Sequence, residues 1–120
     1  MANKVIAVLG DLMFTVKIAD AAKRAGVAVQ FVKTAEDAMS RADGAAAMIL
    51  DLNFVPAELI SQMKSSEETK SIPLIGYVSH VQTDVIRQAR ESGCDTVMAR
   101  SAFVQKLGEM MDGLSDRLPG

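Results

Sequence analysis

Strand-like and helix-like segments alternate strictly along almost the whole sequence. The apolar, strand-like runs are Lys4–Leu9, Val27–Val32, Ala45–Asp51, Ile72–Val78 and Asp95–Ala99. The runs with apolar side chains at helical spacing extend from Phe14 to Ala25, Thr34 to Ala42, Pro56 to Met63, Val81 to Ala89 and Ser101 to Leu114. This alternation predicts a parallel sheet with helices on both faces, because each connection between parallel strands must cross over the sheet.

The number of repeated units narrows the fold further. Five strand–helix units in 120 residues are too few for a closed barrel, which needs eight. They favour a flavodoxin-like, doubly wound α/β sheet of order 2-1-3-4-5 with three α/β/α layers. The length predicts one domain over residues 1–120. The polar stretch Lys64–Ser71 is interpreted as a solvated loop.

The run Ala45–Asp51 is predicted to be the central strand, because a continuous apolar run is typical of a strand buried on both faces. It ends on a carboxylate, and ligands of open α/β sheets bind at the carboxyl ends of the strands. The residues at the predicted strand ends are Gly10, Asp11, Asp51, Val78, Ser79, His80, Arg100 and Ser101.

With these residues in place, the sequence resembles the receiver domain of two-component response regulators. The resemblance extends from Lys4 to about Met111, and its most specific parts are the run ending on Asp51, the Ile72-Pro73-Leu74-Ile75 strand and the segment from Ala89 to Arg100. It implies a phosphoacceptor at Asp51 and a magnesium-binding carboxylate at Asp11. A group of atypical, stand-alone bacterial receiver-like proteins is similar at several further segments.

The departures from that family fall on its active-site positions. Gly10 stands where the first of two adjacent acidic residues is usual, Val78 where a hydroxyl residue is usual, and Arg100 at the lysine position. Ser79 could replace the hydroxyl only if the register shifted by one residue. The loop after Asp51 lacks the usual Met-Pro pair. These changes favour a pseudo-receiver whose phosphorylation chemistry is weakened or lost, since arginine and lysine are not interchangeable where geometry matters.

Both carboxylates have a second interpretation that needs no phosphorylation. Asp51 could pair with Arg100, because carboxylate and guanidinium form strong ion pairs, and this is the favoured interpretation. Asp11 could cap the first helix instead of binding a metal. The expected cofactor content is therefore none, or a weakly bound Mg²⁺ at Asp11 and Asp51.

Three other residue types have structural interpretations. His80 could be a phosphorelay histidine, a metal ligand or a general base, but a polar loop residue is favoured, and it would be the most pH-sensitive group of the rim. Cys94 is interpreted as structural. The methionines, Met13 among them, are interpreted as core residues, with an adaptable partner surface as the alternative.

Composition excludes several classes of function. The net charge of −2 and the few aromatic residues do not favour nucleic-acid binding. No apolar run approaches the roughly 20 residues of a membrane-spanning helix. These features and the single cysteine predict a cytoplasmic protein.

The expected role is a non-enzymatic signalling module. It would bind another signalling protein through the fourth helix, fifth strand and fifth helix, with a homodimer as a further possibility. A working phosphoacceptor is the first alternative. A small-ligand binder of flavodoxin-like fold is the second, although the segment Gly10–Met13 lacks the glycines and hydroxyls that cradle a phosphate.

Overall fold

The computed structural model describes residues 4–79 and 82–117. The strands are β1 (Lys4–Val8), β2 (Val29–Val32), β3 (Ala45–Asp51), β4 (Leu74–Val78) and β5 (Thr96–Ala99). The helices are α1 (Leu12–Ala25), α2 (Ala35–Arg41), α3 (Ala57–Ser65), α4 (Thr83–Glu91) and α5 (Arg100–Arg117). All five strands form one parallel sheet in the order β2-β1-β3-β4-β5, which confirms the predicted flavodoxin-like topology.

The sheet is covered on both faces, and β3 shows this most clearly. Ala47 and Ile49 point toward α1 and α5, whereas Met48 and Leu50 point toward α2, α3 and α4. Residues 45–50 are all buried. The observed bounds of β3 are the predicted ones. The prediction succeeds because a central strand needs apolar side chains on both faces, which gives a continuous apolar run in the sequence.

Local capping signals fix where the first two helices begin or end. The Asp11 carboxylate caps α1, and the Thr34 hydroxyl accepts the N–H of Asp37 at the start of α2. Gly26 ends α1 in the left-handed conformation, with φ of 74°, which only glycine adopts at little cost.

Several predicted boundaries were wrong by one or two residues. β1 ends at Val8, and β2, β4 and β5 begin later than predicted. The last helix begins at Arg100 directly after β5, one residue before the predicted start at Ser101. These short strands end where pairing with the neighbouring strand ends, which an apolar run alone does not reveal.

Two interpretations of side-chain environment were also wrong. Residues 64–71 are not a solvated loop throughout, because α3 continues to Ser65 and Thr69 is buried, with its hydroxyl donating to the Met63 carbonyl at 2.7 Å. Met13 is 75% exposed instead of buried. It lies beside the inward-facing Phe14, so the helical register turns it to the solvent. Within the described residues, no helix combines the length and apolarity needed to cross a membrane.

Candidate functional site

Asp11 stands between the end of β1 and the start of α1. Its Oδ1 accepts the backbone N–H groups of Met13 at 2.9 Å and Phe14 at 3.2 Å. These are N–H groups that a helix cannot satisfy internally, so the carboxylate completes the first turn of α1. The structure thus confirms the capping role predicted for Asp11.

The other oxygen of Asp11 binds Arg100. Nη2 of Arg100 donates to Oδ2 of Asp11 at 3.0 Å, and the two side chains are 36% and 39% exposed. The sequence favoured Asp51 as the partner of Arg100, but that ion pair is not among those formed within the described part of the chain. The reason is that Arg100 opens α5, which packs beside α1 on one face of the sheet, so the helices and not the strand order determine its neighbour.

Arg100 also lies on an aromatic ring. Its guanidinium carbon is 4.2 Å from the ring centroid of the buried Phe14. A positive charge at the start of a helix is unfavourable to the helix dipole, and the Asp11 carboxylate offsets it. The guanidinium is therefore held from one side by a carboxylate and from below by a π face.

The environment of Asp11 favours its ionised form. The N–H of Phe14 is the largest influence that lowers the pKa of Asp11; partial burial opposes it, and the hydrogen bond and charge of Arg100 and the N–H of Met13 act in the lowering direction. The pKa of this carboxyl consequently lies below its usual value. Asp11 is an anion that is already neutralised by protein groups.

Asp51 ends β3 at the same rim of the sheet. Its Oδ1 accepts the Asn53 N–H at 3.0 Å, and its carbonyl accepts the N–H groups of Phe54 at 3.0 Å and Val55 at 2.9 Å. Asn53 Oδ1 in turn accepts the N–H of Ser79 at 2.7 Å. The turn after Asp51 is therefore tied both to the aspartate and to the end of β4.

Val78 and Ser79 differ sharply in their surroundings. Val78 is the last residue of β4 and is buried in the core, whereas Ser79 follows the strand. Ser79 and Arg100 line a recess of about 600 Å³ between the ends of β4 and β5 and the start of α5. The apolar part of its lining includes Val78, Ala99 and Val104.

Asp11 is poorly suited to hold a magnesium ion in this arrangement. Magnesium requires near-octahedral oxygen ligation, usually with one or two carboxylates. Asp11 already accepts two N–H groups and a guanidinium, and position 10, beside it, carries no side chain. Among the residues that the structure describes, no group of three or more His, Cys, Asp or Glu side chains could hold a metal ion.

Tyr77 forms the buried floor beneath this rim. Its ring centroid lies 4.9 Å from that of Phe14 and 5.0 Å from that of Phe103. Its hydroxyl is buried and has no hydrogen-bond partner within the described residues. Burial is the main cause that raises the pKa of Tyr77, and the charge of Asp51 acts in the same direction. Tyr77 therefore stays neutral in the folded protein.

His80 and Cys94, also singled out by sequence, contribute differently. His80 lies outside the described residues. Cys94 is buried, and its Sγ donates to the carbonyls of Leu74 at 3.5 Å and Thr96 at 3.3 Å. Burial raises the pKa of its thiol, which agrees with the structural interpretation and disfavours a reactive thiolate.

Three aromatic residues of the site were not predicted as such. Phe14 supports the guanidinium, Tyr77 lies beneath it, and the Phe54 ring lies over Gly10. The apolar spacing of α1 indicated only that Phe14 faces inward. The missing side chain at Gly10 was visible in the sequence, but the group that fills its place was not.

One of three comparisons with known proteins, the comparison with solved structures, identifies the fold. No protein-family model matches the sequence, and no curated protein matches it. Solved structures do. The response regulator from Hahella chejuensis matches with a TM-score of 0.79 and 17% identity, over 94% of this chain and 95% of that chain.

Two further structures extend this likeness. The phosphorylated cyanobacterial phytochrome response regulator RcpA matches with a TM-score of 0.77 and 20% identity, over 97% of this chain and 93% of that chain. The Mn²⁺-bound form of response regulator Rcp1 matches with a TM-score of 0.75 and 16% identity, over 98% and 99% of the two chains. The chain therefore has the fold of response-regulator receiver domains.

Proposed function

We propose that this protein is a cytoplasmic signal-transduction module that acts by binding another protein, without enzymatic activity of its own. In this proposal its phosphorylation chemistry is weakened or lost. The receiver fold supports the general role, because the similar structures are response regulators.

The observation that carries the proposal is the engagement of Arg100. A phosphoacceptor site needs a cation that can move to the incoming phosphoryl group, and lysine does so as a point charge on a flexible stem. Here the guanidinium is bound to Asp11 at 3.0 Å and stacked on Phe14 at 4.2 Å. The guanidinium is therefore already engaged by a carboxylate and an aromatic ring.

The position of Val78 supports the same conclusion. The side chain at the usual hydroxyl position is an isopropyl group buried in the core. It has no donor for a phosphoryl oxygen. Ser79, the next residue, lines the recess beside Arg100, but its backbone N–H is bound to Asn53.

The partner surface that we propose consists of α4, β5 and α5. β5 is an edge strand, so one row of its backbone groups has no neighbouring strand. The recess lined by Val78, Ala99 and Val104 opens beside it, and Val104 is 37% exposed. On α4, Arg87 forms exposed ion pairs with Asp84 and Glu91. A recess with apolar walls and one charged residue, Arg100, in its lining suits protein binding in physical terms.

Acetyl phosphate tests the chemical part of the proposal. The wild-type protein and Asp51→Asn are incubated with acetyl phosphate and Mg²⁺ and examined by intact mass spectrometry. We expect no phosphoryl adduct that depends on Asp51. An adduct present in the wild type and absent from Asp51→Asn would contradict this part and would favour a working phosphoacceptor.

A pair of matched valine substitutions tests the partner surface. Val104→Asp places a charge beside the recess, and Val16→Asp places the same charge on the exposed side of α1. Size-exclusion chromatography with light scattering and affinity capture from the host are compared for both. We expect Val104→Asp alone to lose the partner or the self-association. Equal binding by wild type and both variants, or no binding by the wild type, would contradict the proposed surface.

A further inference from the structure

The phenyl ring of Phe54 occupies the space next to Gly10. A Cβ atom at position 10 would lie 2.9 Å from Cε1, 3.3 Å from Cζ and 3.4 Å from Cδ1 of that ring. The first of these distances is shorter than Cβ atoms tolerate, so any side chain at position 10 would have to displace the ring.

The backbone does not require glycine at this position. The glycines with positive φ are Gly26, Gly44 and Gly93, and Gly10 is not among them. The constraint that the structure shows at this position is the close approach of the Phe54 ring.

The backbone of Phe54 is anchored by the turn after β3. The N–H of Phe54 and that of Val55 both donate to the Asp51 carbonyl, and Val55 is buried. The turn after β3 thus fixes the Cα of Phe54, and the ring, 45% exposed, lies back against the glycine. An exposed phenyl group gains by covering backbone and shielding its own face from water.

From these contacts we infer that Phe54 and Gly10 form a matched pair: the ring fills the space that a carboxylate at position 10 would need, so this position is closed to metal binding. The guanidinium of Arg100, bound to Asp11, supplies the positive charge in place of a divalent cation. Steric exclusion then acts at position 10, and charge replacement acts at Asp11. The inference concerns cation binding alone and holds whether or not the protein binds the partner proposed above.

Manganese binding to a small set of variants tests the ring. Mn²⁺ is used because it prefers the same oxygen ligands as Mg²⁺. Isothermal titration with MnCl₂ compares the wild type, Gly10→Asp, Phe54→Ala and the double variant. We expect no saturable binding by the wild type or Phe54→Ala, and binding by the double variant about tenfold tighter than by Gly10→Asp. Saturable binding by the wild type would overturn the inference. Equal binding by Gly10→Asp and the double variant would overturn it as well.

A third substitution tests the arginine separately. Arg100→Gln is added to the double variant to remove the competing charge at Asp11, and Arg24→Gln, which breaks an exposed ion pair with Asp20, is the matched control. We expect Arg100→Gln alone to tighten Mn²⁺ binding further. If the two substitutions have the same effect, the guanidinium does not replace the cation.

A thermodynamic cycle keeps the test valid even if an added carboxylate prevents folding. Gly10→Ala is measured by thermal unfolding in the wild-type and Phe54→Ala backgrounds. We expect the substitution to lower the Tm in the wild type and to have little effect once the ring is gone. An equal loss in both backgrounds would show that Phe54 is not the group that excludes a side chain at position 10.

Discussion

Arg100 and Asp11 are joined by one hydrogen bond of 3.0 Å, although 89 positions separate them in the sequence. Asp11 caps α1 and Arg100 opens α5, so this bond connects the N-terminal ends of two neighbouring helices. The Asp11 carboxylate accepts backbone N–H groups in the first turn of α1. It also offsets the positive charge of Arg100, which is unfavourable at the start of α5.

Asp11→Asn separates these two roles. Asparagine caps helices about as well as aspartate but carries no charge, so we expect a lower Tm near neutral pH and a weaker dependence on acid. The pKa of Asp11 is lowered in the folded protein, most of all by the Phe14 N–H. Its stabilising contribution is therefore complete above the ordinary value of 3.8 and is lost as the pH falls through the lower folded value.

Thermal unfolding from neutral to acidic pH measures this effect. The difference between wild type and variant should be largest near neutrality and should shrink in acid. Asp20→Asn, which removes an exposed ion pair with Arg24, is the control and should change little. If the Tm of the wild type and that of Asp11→Asn change in parallel with pH, the charge of Asp11 does not make the proposed contribution to stability.

Tyr77 provides an optical probe because it is the protein's one tyrosine. Burial raises its pKa above the ordinary value of 10.0, so the folded protein holds the phenolic proton more tightly than the unfolded chain. The contribution is complete below that ordinary value and is lost as the pH rises through the folded one. We therefore expect phenolate absorbance to appear together with loss of helical circular dichroism. If phenolate absorbance appears while the helical signal is still intact, this prediction is wrong.

Tyr77→Phe removes a buried hydroxyl that has no partner within the described residues. Removing an unsatisfied polar group while keeping the ring should raise the free energy of unfolding by about 1 kcal/mol, as measured in urea. Phe14 and Phe103 would retain their ring contacts. A clear destabilisation would mean that the hydroxyl has a stabilising contact.

Two glycines should respond to alanine in opposite directions. At Gly76 a Cβ would lie 2.6 Å from Cδ1 of the buried Leu52, so Gly76→Ala should cost about 1–3 kcal/mol through overpacking. At Gly108 in α5 nothing lies within 4 Å, and the same change should add about 0.5–1 kcal/mol through helix propensity. Urea unfolding measures both. The prediction fails if the two changes have the same sign.

Thr69 tests the environment of the segment that sequence alone suggested was solvated. Thr69→Val leaves the shape but removes the hydroxyl that donates to the Met63 carbonyl at 2.7 Å, and we expect a loss of about 1 kcal/mol. Ser65→Ala removes an exposed hydroxyl bonded to the Ser61 carbonyl and should have almost no effect. If the two substitutions lower the free energy of unfolding equally, burial of the Thr69 hydroxyl does not explain its contribution.

The features that could be predicted from sequence are those set by local pattern. The bounds of β3 follow from a run that is apolar on both faces, and the cap at Asp11 follows from a carboxylate placed just before a helix. The strand order follows from the alternation of units, because topology rules leave few arrangements.

The features that could not be predicted depend on where one side chain meets another. Arg100 binds Asp11, which caps the helix that packs beside α5, and the Phe54 ring lies against Gly10. Thr69 is polar in sequence but buried by its tertiary surroundings. The periodicity of apolar residues in the sequence indicates neither these two residue pairs nor the burial of Thr69.

The bond between Asp11 and Arg100 also has a consequence for the order of folding events. It joins the starts of α1 and α5, so it can form only once these two helices pack against each other. Contacts made late on the folding route act mainly on the unfolding rate. We therefore expect this bond to slow the unfolding of the native protein and to leave its folding rate nearly unchanged.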